Sequence, residues 1–75
     1  MEYAKMAEIV IARRRSLGLT QEETASLANI DRRTLGEFEN SVGTRGMTVR
    51  NLLAICEVLG LTLDIVPFTG RNELS

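Results

Sequence analysis

Between Gly18 and Asn40 the chain is punctuated so closely that few folds can accommodate it. Gly18 stops one helical pattern, and Thr20 with Glu23 then forms a T-x-x-E capping box that starts the next. Asn29 sits where the chain must turn, and asparagine tolerates the left-handed conformation better than any residue but glycine. Asp31 caps a further helix at once. The spacing therefore predicts a short helix over about Gln21 to Ala28, a tight turn at Asn29-Ile30, and a second helix over about Arg32 to Asn40. Ala25, Ser26 and Ala28 keep the first of these slim enough for another helix to approach, and Leu35 and Phe38 would be the inward residues of the second.

The flanks continue the pattern. Tyr3, Met6, Val10 and Leu17 fall on one face of an opening helix, with Arg13 and Arg14 beside it and Ile11 pointing away. SVGTRGM reads as a loop, with Gly43 and Gly46 as its flexible points. Thr48 caps a fourth helix in which Val49, Leu52, Ile55, Cys56 and Leu59 share a face, and Gly60 ends it. LTLDIV then alternates Leu61, Leu63 and Ile65 against Thr62, Asp64 and Val66, which predicts a strand over 61–66 ended by Pro67. The tail Phe68 to Ser75 has no periodicity and is expected to be flexible.

A single strand cannot satisfy its own backbone, so it needs a partner strand. The same strand of a second copy is the natural one, with Leu61, Leu63 and Ile65 at the joint. Size points the same way: 75 residues bury a marginal core. The single cysteine excludes an internal disulfide, and the absence of histidine argues against a zinc clip. A homodimer is expected.

Composition narrows function by exclusion. With no histidine, one cysteine in a core pattern and no glycine-rich phosphate loop, the chain carries no catalytic constellation, metal site or cofactor motif. IVIA is too short for a signal peptide and runs straight into arginines, and no apolar run approaches the roughly 20 residues of a spanning helix. No membrane role and a cytoplasmic location are expected. The net charge of −1 and a pI near 5.3 do not by themselves suggest nucleic acid. Placement matters more. The bases gather at Arg13-Arg14-Arg15, Arg32-Arg33, Arg45 and Arg50, with acids among them.

A helix, a turn at Asn29-Ile30 and a second helix make a helix-turn-helix. GLTQEETASLANIDRRTLGEFEN resembles the Cro/CI-type (XRE-like) repressors, whose pattern is L-T-Q-x-E-L-A-x-x-A-G-[IV]-s-x-x-[TS]-[IL]-s-x-[IFLW]-E-N. Leu19, Thr20, Gln21, Glu23, Ala25, Ala28, Ile30, Thr34, Leu35, Phe38, Glu39 and Asn40 match as they stand. Asn29 replaces the usual glycine and Thr24 the usual leucine. The resemblance implies an all-α, four- to five-helix lambda-repressor-like domain over 1–67. It implies that the second helix enters the major groove with Arg32, Arg33 and Glu37 facing base edges. An arginine fork suits guanine O6 and N7, and a glutamate can accept from cytosine N4. Gln21, Thr34, Arg45 and Arg50 would touch phosphates, whereas Arg14 and Glu39 occupy positions that pair with each other. Gly36 would allow closer entry into the groove.

A domain of this type followed by LLAICEVLGLTLDIVP is similar to the HipB-like antitoxins, in which such a strand pairs across the dimer axis. That implies a dimeric repressor on an inverted-repeat operator in double-stranded DNA, autoregulating its operon and binding a HipA-like kinase toxin. Ile11 and the tail Phe68 to Ser75 are candidates for the toxin contact. A stand-alone repressor of phage or restriction-modification type is the alternative within the family. A protein-interaction module with lapsed DNA binding is the alternative outside it. Arg13 and Arg15 read as a solvated face, and Cys56 and Met6 as core.

Overall fold

The computed structural model describes residues 3–40 and 47–68, and within them the chain forms four helices, the last three of which start where the caps lead. They are α1 (Tyr3–Ser16), α2 (Gln21–Ala28), α3 (Arg32–Glu39) and α4 (Val49–Leu59). The capping box closes in full: Glu23 N–H donates to Thr20 Oγ1 at 3.0 Å, and Thr20 N–H donates to Glu23 Oε1 at 2.8 Å. Asp31 Oδ1 accepts from Arg33 N–H, and Thr48 Oγ1 accepts from Asn51 N–H at 3.0 Å. Each cap satisfies a donor that a helix start leaves open.

The helix ends share one device. Gly18 (φ 72°), Asn29 (φ 58°) and Gly60 (φ 70°) are left-handed. The next residue's N–H in each case reaches back to a carbonyl inside the helix: Leu19 to Arg14, Ile30 to Ala25, Leu61 to Cys56, at 2.8–3.1 Å. Leu19, Ile30 and Leu61 then pack against the core, so each stop is also a hydrophobic anchor. α3 is different: its Asn40 stays right-handed.

α1 packs on α3 and α4, and α2 packs on α3 and α4. Leu35, Phe38, Ile55 and Leu59 are fully buried between them, with Val10, Ala25, Ala28, Leu52 and Cys56 around. Burial pushes the Cys56 thiol up, so it behaves as a small apolar residue. Thr24, the departure from the usual leucine, is 0 % exposed, and its Oγ1 has no hydrogen-bond partner among the described residues.

Several sequence expectations are corrected. The inward side of α1 is Ala7, Val10 and Arg14, not Tyr3 and Leu17, which are exposed. Ala7 is buried because it is small enough for close packing. Leu17 lies past the helix end, in the turn. Val49 sits in the first turn of α4 and is 70 % exposed despite its phase. Arg13 is not merely a solvated side chain, since its Nε donates to Leu59 O at 2.7 Å and ties α1 to the carbonyl end of α4.

The expected strand over 61–66 does not form within the single chain, where no partner strand exists among the described residues. Its alternation also breaks. Leu61 and Leu63 are half-buried against their own core, whereas Ile65 is 94 % exposed. Val66 and Phe68 are exposed as well. The loop glycines Gly43 and Gly46 and the tail beyond Phe68 lie outside the described residues.

Candidate nucleic-acid interface

α3 divides cleanly along its length. Leu35, Phe38 and Glu39 face the interior, which leaves Arg32, Arg33 and Glu37 on the outward side. Arg32 and Arg33 occupy the first turn, directly after the Asp31 cap. Arg33 is 82 % exposed in its side chain, and its Nε donates to Glu37 Oε2 at 3.1 Å, one turn further on. Arg32 is exposed and has no partner among the described residues. Thr34 is half-buried on the flank.

Beneath this face lies a buried ion pair. Arg14 Nε and Nη2 donate to Glu39 Oε2 and Oε1 at 2.7 and 2.8 Å, a two-pronged contact between α1 and α3. Arg14 Nη1 also donates to Leu19 O at 2.8 Å, holding the α1–α2 turn. Hydrogen bonding to Glu39 raises the Arg14 guanidinium above its ordinary value. The side chains are 10 % and 2 % exposed, so removing either partner would strand a buried charge, at a cost of ~3–5 kcal/mol. The pairing expected at these positions is present.

Gln21 joins the same network. Its Nε2 donates to Glu39 Oε1 at 2.9 Å, and its Oε1 lies 3.5 Å from where a Cβ on Gly36 would stand. The first residue of α2 is thus clamped against the last turns of α3. Sequence reasoning assigned Gln21 outward alone and missed this inward bond, because the spacing of two helices does not reveal which side chains meet between them. Arg50 is exposed in the first turn of α4. Arg45 lies outside the described residues. Glu37, Arg33 and Arg32 are brought together on one helix face, and Gln21 stands at its edge through Gly36.

Two eight-residue helices joined through a left-handed Asn29, with the second locked from below and arginines above, define a helix-turn-helix domain. The family model described as helix-turn-helix matches residues 10–66, and the chain belongs to that family, within the XRE/Cro-CI superfamily of DNA-binding regulators rather than enzymes. A comparison with curated proteins gives no match. Among the described residues no helix is long and apolar enough to cross a membrane, and no cluster of acidic, cysteine or histidine side chains could hold a metal ion.

Proposed function

We propose that this chain is a dimeric, sequence-specific transcriptional repressor of the HipB-like antitoxin kind, which represses its own operon and binds a HipA-like kinase toxin. The observation that carries the DNA reading is the outward face of α3, where Arg32 and Arg33 stand in the first turn of a helix locked to the core through Glu39. Arg32 and Arg33 read base edges in the major groove, with Glu37 beside them. Gln21, Thr34, Arg45 and Arg50 contact the phosphate backbone and set register.

The C-terminal segment supports dimerisation. Among the described residues, no backbone group of Thr62 to Phe68 bonds to another backbone group. Leu61 and Leu63 anchor the segment to its own domain, and Asp64 Oδ1 accepts the Ile65 N–H at 2.9 Å, which leaves the Ile65 side chain and the neighbouring backbone groups for the same segment of a second copy. An apolar groove of about 400 Å³, lined by Tyr3, Met6, Val49, Leu63 and Ile65 among others, lies alongside. What favours the antitoxin reading over a stand-alone phage-type repressor is the alternating sequence of Leu61 to Val66, a strand pattern that awaits a partner strand.

A set of alanine substitutions tests the division of labour. Replacing Arg32 or Arg33 should cost ~1–3 kcal/mol on the preferred duplex and relax base preference at one position. Replacing Arg45 or Arg50 should weaken all duplexes alike and lower the salt dependence by about one counterion. Equal behaviour of all four would contradict the assignment.

A further inference from the structure

We infer that Glu37 is a positioning residue for Arg33, and that the two act as one unit reading a single guanine. The inference rests on the DNA-binding reading above and deepens it, because it changes what Glu37 does there. As an independent reader, Glu37 would accept from a cytosine amino group. In the structure one of its oxygens, Oε2, takes the Arg33 Nε–H at 3.1 Å, which turns the carboxylate toward Arg33.

The consequence for Arg33 is geometric. A guanidinium can present two N–H groups to guanine O6 and N7 either through Nε and one Nη, or through Nη1 and Nη2. With Nε held by Glu37, the Nη1–Nη2 edge remains, so Arg33 approaches its base end-on. The bond also biases a long, 82 % exposed side chain toward this arrangement before any duplex arrives. An arginine held this way loses less conformational freedom on binding than a free one. Arg32, adjacent and unpartnered among the described residues, has no such support.

The charge of the pair matters as much as its shape. Arg33 and Glu37 together are neutral, so they contribute little to sequence-blind attraction toward phosphates. What the unit gains on binding is confined to the guanine edge. Glu37 thus sharpens discrimination while weakening general affinity, which a merely structural surface pair would not do.

The test uses the full chain as wild type, R33A, E37A and the double variant R33A/E37A, each checked for helicity by circular dichroism. Wild type first selects its preferred duplex from a pool of randomised double-stranded DNA. Anisotropy titrations then compare that duplex with its single-base-pair variants and with a scrambled duplex. R33A should lose about ten- to hundred-fold discrimination at one G·C pair. E37A, which removes the acceptor as well as the charge, should lose discrimination at that same pair, by several-fold, and should bind the scrambled duplex more tightly. The double variant should discriminate no worse there than R33A. Relaxation by E37A at a different base pair would overturn the inference, because Glu37 would then be reading a base of its own. Unchanged discrimination in E37A would overturn it equally. If wild type selects no sequence at all, the DNA-reading proposal itself falls and this one with it, an outcome the wild-type selection alone distinguishes.

Discussion

Thr24 shows how one atom bears on the stability of a small domain. Its side chain is fully buried, yet its hydroxyl has no partner among the described residues. A buried donor left unpaired forfeits its hydration without return, whereas a methyl of the same shape would not. Thr24→Val should therefore stabilise the domain by ~1 kcal/mol, which for a chain of this size raises Tm by about 4–8 °C in a thermal melt. A lower Tm would mean that the hydroxyl is bonded in solution. Arg14 is the opposite case. It is also buried, but each of its three nitrogens donates: two in a two-pronged bond to Glu39 and the third to Leu19 O. Periodicity alone flags such an arginine as flanking surface, and only the match to a known motif pointed to its pairing with Glu39.

At the scale of elements, the starts of α2, α3 and α4 and the stops of α1, α2 and α4 were legible because each depends on a few adjacent residues. Thr20, Asp31 and Thr48 cap by local hydrogen bonds, and Gly18, Asn29 and Gly60 stop by taking positive φ. The anchors Leu19, Ile30 and Leu61 follow these stops directly and could have been read from the same rule. What was not legible depends on distant elements. Arg13 bonds the end of α4, and nothing in α1 says where that end lies. Tyr3 and Val49 have the right phase for burial but sit in first turns, where no helix among the described residues covers them. On the outward face, the proposed base-reading role of Arg32 and Arg33 rests on motif position, whereas the Gln21–Glu39 bond emerged only from the packing. Gly36 gives this face a test. A Cβ there would meet only Gln21 Oε1, at an ordinary 3.5 Å. Gly36→Ala should therefore strengthen α3 by up to ~1 kcal/mol in a thermal melt while weakening binding to the preferred duplex. Unchanged binding would show that the glycine does not serve groove entry.

For the whole molecule, the C-terminal segment was the least legible part, since its alternation promised a strand that one chain cannot complete. Leu61 and Leu63 turn inward and, of the three residues expected at the joint, Ile65 alone is left outward, so the proposed dimerisation is best tested without removing the segment from the core it supports. Ile65→Asp should leave the helices intact and convert a dimer to a monomer in sedimentation velocity. An undiminished dimer would place the joint elsewhere. Two reading helices across a twofold axis would then demand an inverted-repeat operator with half-sites about one helical turn apart, ~10 bp centre to centre.

The central claim is that this domain recognises a particular duplex rather than phosphate in general. The most direct measurement is a fluorescence anisotropy titration on the DNA upstream of its own gene, with a scrambled duplex alongside, at several salt concentrations. The account predicts tight binding to the upstream DNA and binding at least ~10³-fold weaker to the scrambled duplex. Equal, weak binding to both, with the same steep salt dependence, would contradict it.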